Sequence, residues 1–214
     1  MKIGPFSRRG RSRARKSVTA ADHDLGYDAL LVPFGILEVG RGEQSIDQLW
    51  IGLGQSRETS DFIADALDRW WEQRSDFHSG IQRIQINLDN GPEISSSRTQ
   101  FMNRLVQFAD RTGLDIELVY YPPNHSKYNP IERCWGILES HWNGAILSSV
   151  QVAMNWAATM TWRGVAPIVE LIEGLYERGV TITRSTYRPI LARLDKAKTL
   201  SKWSVRIQAQ PVGY

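Results

Sequence analysis

Apolar and polar positions along this chain follow two periods, one near two residues and one near 3.6. Residues 30–39 form an apolar run of strand length, and Leu49, Trp50 and Ile51 centre a second run at residues 48–53. Gly40, Gly42, Ser45 and Asp47 lie between them as turn formers, so the two runs are expected to pair as an antiparallel hairpin. Phe62, Ile63, Ala66, Leu67, Trp70 and Trp71 then recur at helical spacing, which predicts a helix capped by Thr59 or Ser60 and ending near Arg74. Ile84, Ile86 and Leu88 alternate with Gln85 and Asn87, a strand pattern ending at Asp89, and Asn90-Gly91-Pro92 breaks the chain there. Phe101, Leu105 and Phe108 predict a helix over residues 98–111, closed by Gly113. Residues 115–121 read as a strand with Ile116, Leu118 and Tyr120 on one face, stopped by Pro122-Pro123. Asn129-Pro130 opens a helix through Ile131, Trp135, Leu138 and Trp142.

Alternating strands and helices predict an α/β layer architecture. Beyond residue 148 the chain reads as mostly helical, with Met154, Trp156, Ile168, Val169, Leu171, Ile172 and Leu175 as expected buried positions. The first twenty or so residues, rich in Gly, Ser and Arg, read as too polar for a core element.

Composition narrows the class. Of 214 residues, 42% are hydrophobic and 23% charged, a balance that can bury a core. Net charge is only +3, but the basic residues cluster. Arg8, Arg9, Arg11, Arg13, Arg15 and Lys16 crowd one end, and Lys196, Lys198, Lys202 and Arg206 the other. Such clusters suit a polyanion, although a solvated arm has the same composition. The single cysteine, Cys134, rules out an intramolecular disulfide and a cysteine-rich zinc site. No run approaches the roughly 18 apolar residues of a membrane span, and no apolar signal-peptide core follows Met1, so a soluble intracellular protein is expected.

Two acids stand out by placement. Asp89 ends an apolar strand, and Glu132 lies in the first turn of a helix that follows another strand. Ligand sites of α/β sheets lie at such strand ends, where converging carboxylates offer the hard oxygens that Mg²⁺ prefers. Both acids also fit a local role. Asn129-Pro130-Ile131-Glu132 has the form of a capping box, and Asp89-Asn90-Gly91 that of an Asx-turn. Local sequence alone favours these capping and turn roles.

The longer motifs shift that balance. Ile86-Asn87-Leu88-Asp89-Asn90-Gly91-Pro92-Glu93, followed by Arg98-Thr99-Gln100-Phe101-Met102, resembles the second-carboxylate segment of DDE transposases. The stretch Tyr120-Tyr121-Pro122-Pro123-Asn124-His125-Ser126-Lys127-Tyr128-Asn129-Pro130-Ile131-Glu132-Arg133-Cys134-Trp135-Gly136 resembles the third-carboxylate segment. Its Asn-Pro-Ile-Glu core is shared with mariner-like and related insertion-sequence transposases, and the longer wording is most similar to the Rhodopirellula-type DDE transposase family, from Lys2 to Trp203. The resemblance implies an RNase H-like fold, a mixed sheet flanked by helices, over residues 1–148, with a helical extension and basic tail over residues 149–214. It implies that Asp89 and Glu132 are catalytic and metal-binding, holding Mg²⁺ or Mn²⁺ in a two-metal site. The family's first aspartate belongs on an opening strand before Ile3-Gly4-Pro5-Phe6, so the chain is expected to be a truncated copy with that strand missing or incomplete; Asp22 and Asp24 match a segment further downstream.

Further residues are weaker candidates for holding DNA: Arg8, Arg9, Arg11, Arg13, Asn90, His125, Lys127 and Arg133, each set against an ordinary surface or turn role. Glu93 lies in a turn and is not taken as a site residue. Cys134 has no evident base beside it and reads as packing, as do Trp70, Trp71, Trp135 and Trp142 at helical spacing. The implied activity is metal-dependent cleavage and strand transfer at element ends in the bacterial cytoplasm, associated with the nucleoid. The implied partners are DNA and a second copy or an intact transposase. A catalytically inactive DNA-binding remnant is the main alternative, and a general RNase H-like nuclease comes behind it.

Overall fold

A computed structural model of the chain describes residues 1–8, 15–16, 19–21, 26–40, 46–122, 128–196 and 202–210. In chain order the elements are β1 (Lys2–Ile3), β2 (Ala29–Leu30), β3 (Val32–Glu38), β4 (Gln48–Gly54), α1 (Ser60–Arg74), a 3₁₀ turn (Ser75–His78), β5 (Arg83–Leu88), α2 (Thr99–Thr112), β6 (Asp115–Tyr120), α3 (Pro130–Trp142), α4 (Val150–Ala158), β7 (Ile168–Ile172), α5 (Arg184–Leu191), β8 (Leu194–Lys196) and β9 (Ser204–Ile207). The architecture is mixed α/β, as the alternating pattern predicts. The chain divides into two compact units, Met1–Arg57 with Pro130–Leu175, and Glu58–Asn129 with Tyr176–Tyr214.

In the first unit the expected hairpin forms: β3 and β4 pair antiparallel from Val32↔Gly54 to Glu38↔Gln48. On its other side β4 pairs in parallel with β7, so β4 is the central strand, and Leu49, Trp50, Ile51 and Leu53 are all but sealed from solvent. A strand covered on both faces reads as a continuous apolar run, as residues 49–51 do. The helix α3 lays Ile131 and Trp135 on β3. At Gly35 a Cβ would stand 2.7 Å from two ring carbons of Trp135 and 3.1 Å from Ile131, so only glycine admits the helix this closely. Cys134, Leu138 and Trp142, on the same helix, join Ile51, Leu53, Ala153 and Met160 in the core. Asp47 is buried at 7% exposure. It accepts hydrogen bonds from Gly40 N and Trp162 Nε1, both at 3.0 Å, and pairs with Arg163 at 3.0 Å. The predicted turn former is thus a buried anchor joining the hairpin to the turn at Trp162.

In the second unit β5 and β6 pair in parallel and β9 and β8 extend the sheet antiparallel, in the order β5-β6-β9-β8. Ile116, Leu118, Tyr120, Val205 and Ile207 are buried, as are Phe62, Ala66, Phe101, Met102, Leu105 and Phe108 from the apolar stripes of α1 and α2. Thr59 caps α1 through Oγ1 to Phe62 N at 3.2 Å, and Gly113, at φ 72°, closes α2 in the left-handed region that glycine adopts freely. Arg104 of α2 pairs with Asp61 and Asp65 of α1, and Tyr176 donates to Asp65 at 2.9 Å.

Two expectations need correction. Residues 168–172 are a strand, not helix, and β8 and β9 are strands as well; among the described residues of this region only α4 and α5 are helical. Ile168, Val169 and Ile172 are β-branched and, with Leu171, lie between Pro167 and Gly174, a composition that suits a short strand. Leu175, expected in the core, is 94% exposed. At the N-terminus Ile3 is buried in the first unit's core, and β1 pairs with β2 through Lys2↔Leu30 and Ile3↔Ala29. The apolar Ile3 and Phe6 precede the arginine-rich stretch and do not share its polarity. Among the described residues, no helix is long and apolar enough to cross a membrane.

Candidate functional site

Asp89 directly follows β5 at the C-terminal end of the parallel β5–β6 pair. The ladder runs to Leu88↔Tyr120 and is closed by Tyr121 N donating to Leu88 O at 2.8 Å. Immediately beyond it, Asp89 and Asn90 are exposed. One carboxylate oxygen of Asp89 accepts Gly91 N at 3.3 Å, the Asx-turn anticipated from Asp-Asn-Gly. Its other oxygen has no hydrogen-bond partner among the described residues. A turn role and a ligand role are therefore compatible here, because the turn engages only Oδ1.

The segment after Asp89 is held from three directions within the second unit. Glu93 Oε2 accepts Ser60 N at 3.1 Å, at the N-terminus of α1, and Arg98 Nη2 pairs with the same oxygen at 3.2 Å. Ser60 Oγ lies 2.7 Å from Glu93 O, to which it donates, and accepts Arg98 Nε at 3.3 Å. Tyr120 Oη donates to Ile94 O at 2.9 Å, and burial pushes that phenol well above the usual tyrosine range. Lys196 Nζ donates to Ser96 O at 3.1 Å. Pattern reading misses Glu93, Tyr120 and Lys196 in this role because the partners Ser60, Ile94 and Ser96 are far away in sequence. The free N–H groups that open α1 were the one available signal, since a helix start attracts a carboxylate.

Glu132 belongs to the other unit. It is exposed in the first turn of α3, on the face opposite Cys134 and Leu138, and has no hydrogen-bond or ion-pair partner among the described residues. Pro130 is the first helical residue, as the Asn-Pro start predicts, and Asn129 is buried. Arg133 is exposed beside Glu132. Exposed carboxylates with open oxygens are the donor type a hard divalent cation requires. Among the described residues, no group of three or more His, Cys, Asp or Glu side chains is placed to hold a metal ion.

Of the basic candidates, Arg8 folds back on its own segment, donating to Lys2 O and lying 5.4 Å from the Phe6 ring. Arg9, Arg11, Arg13, His125 and Lys127 lie outside the described residues, as do Asp22, Asp24 and Lys198. The C-terminal basic group is partly consumed by the fold: Arg206 makes two bonds to Glu117, at 3.0 and 2.9 Å, while Lys196 serves Ser96. Cys134 is buried, its thiol pushed up to about 11 chiefly by burial and then by the charge of Asp47, which fits packing and not nucleophilic chemistry. Trp70 and Trp142 are buried, and Trp71 stacks on His78 at an interplanar angle of 8°.

The sequence matches the model of the family described as Rhodopirellula transposase DDE domain over residues 1–209. No curated protein and no solved structure matches the chain.

Proposed function

The chain belongs to the Rhodopirellula transposase DDE domain family, and on that premise we propose that Asp89 and Glu132 are two of the three carboxylates of a divalent-metal-dependent DNA strand transferase. The observation that carries this reading is the state of the two acids. Each stands exposed at an element terminus, Asp89 after β5 and Glu132 at the start of α3, with at least one oxygen uncommitted among the described residues. The premise also supports an RNase H-like core for the mixed α/β fold.

Bound Mg²⁺ or Mn²⁺ would supply an activated attacking oxygen and charge neutralisation at the leaving oxygen of a phosphodiester. The chain's part is to hold and orient. Asp89 and Glu132 would offer carboxylate oxygens, while Asn90 and Arg133, each exposed beside one of the acids, would contact phosphate oxygens. In cleavage of the element strand a water oxygen would form one P–O bond as the P–O3′ bond breaks, leaving a 5′ phosphate and a 3′ hydroxyl. Attack of that hydroxyl on target DNA forms one P–O bond and breaks another, in line.

The test is strand cleavage of DNA carrying element ends, with Mg²⁺ or Mn²⁺, by the chain alone and by a version extended upstream in frame. Metal-dependent cutting by the extended version, lost in Asp89→Asn and Glu132→Gln, supports the reading. Salt-sensitive binding with no cutting by either version supports a non-catalytic DNA-binding remnant instead. Cutting of any duplex or hybrid without end preference points to a general nuclease.

A further inference from the structure

We propose that Glu93 is a positioning residue for Asp89, locking the turn that carries the acid to the N-terminus of α1; this rests on the metal-binding reading of Asp89. Four residues separate two fixed points. Leu88 is held by the β6 ladder and by Tyr121 N, and Glu93 by Ser60 and Arg98. Asp89 lies between them with one hydrogen bond of its own, to Gly91 N at 3.3 Å. Its side chain has no other partner among the described residues, so the path of the backbone on either side sets where its oxygens stand. The upstream end is part of a sheet. The downstream end is held by the Glu93 carboxylate together with Glu93 O, which accepts Ser60 Oγ at 2.7 Å.

That carboxylate is well suited to the task. Ser60 N is among the N–H groups at a helix start that have no intrahelical acceptor, and Thr59 satisfies only Phe62 N. The positive end of α1 and the Arg98 guanidinium both attract the Glu93 carboxylate. Glu93 is half-buried, and its side chain is 25% exposed. Tyr120 Oη on Ile94 O and Lys196 Nζ on Ser96 O hold the rest of the loop, so loss of Glu93 frees residues 89–93 while the later loop stays docked. Supporting groups of this kind tune ligand affinity without touching the ion.

The test compares Glu93→Ala, Glu93→Gln and Asp89→Asn in the full chain. Three readouts are used: Mn²⁺ affinity by electron paramagnetic resonance, amide hydrogen exchange over residues 89–98, and circular dichroism. Glu93→Ala is expected to weaken Mn²⁺ binding about ten-fold, to speed exchange in residues 89–93, and to leave the spectrum unchanged. Glu93→Gln, which keeps an acceptor for Ser60 N but loses the charge opposite Arg98, is expected to fall between it and the wild type. If Glu93→Ala does not fold, Glu93→Gln decides alone, by the direction of both affinity and exchange. Wild-type affinity and exchange in folded Glu93 variants, beside weakened binding in Asp89→Asn, overturn the positioning role and leave the metal site standing. Unchanged Mn²⁺ binding in Asp89→Asn itself overturns both.

Discussion

Trp162 donates its indole N–H to the buried carboxylate of Asp47 at 3.0 Å, joining the end of the β3–β4 hairpin to a turn more than a hundred residues downstream. Gly40 N and Arg163 complete the environment of that carboxylate. Asp47→Ala strands a buried indole N–H and a backbone N–H, and is expected to lower stability by about 2–4 kcal/mol. Asp47→Asn retains an acceptor and should cost roughly half as much. Urea denaturation of the two variants checks the order.

Acid should weaken the fold through Asp47 and Asp110. Burial, the largest influence on each, acts to raise the carboxyl pKa. The bonds to Trp162, Gly40 and Arg163 outweigh it for Asp47, and those to Arg193 and Gln210 N outweigh it for Asp110, leaving both below the ordinary value of 3.8. A depressed folded-state pKa gives a stabilisation that is full above 3.8 and is lost as pH falls through the lower value. Stability is therefore expected to drop on acidification below about pH 4, and the drop should be shallower in Asp110→Asn, as followed by denaturation midpoints across pH.

Gly35→Ala places a methyl group against Trp135 and should destabilise the first unit by about 1–3 kcal/mol. Trp135→Leu removes the obstructing ring, so the double variant is expected to lose less than the sum of the two single losses. A double-mutant cycle in thermal unfolding measures the difference.

Cys134 should be inert in the native state. With the thiol sealed from solvent and pushed up to about 11, its reaction with an aromatic disulfide reagent at neutral pH is expected to follow global opening, becoming rapid only in denaturant.

Much of this fold was legible because its strongest signals are local. The α1 stripe, the alternation through β5 and Gly113 at the end of α2 each state an element within a dozen residues. β7 was read as helix because a short apolar run carries no period of its own. Its identity comes from pairing with β4, Trp50 against Ile168, which no local window contains. Ile3 was hidden by averaging with the arginines that follow it. Asp89 and Glu132 are candidates through long motifs, whereas Glu93 escapes local reading because its bond to Ser60 reaches across a helix and a strand.

The central proposal is that Asp89 and Glu132 both hold the divalent cation that strand transfer needs. The most direct measurement is a Mn²⁺-binding double-mutant cycle over the wild type, Asp89→Asn, Glu132→Gln and the double variant, carried out on the upstream-extended chain. The account predicts that each single change weakens binding by at least about ten-fold and that the double variant is little worse than either single one, because both remove ligands of the same ions. Losses that simply add, or wild-type affinity in either single variant, would contradict it.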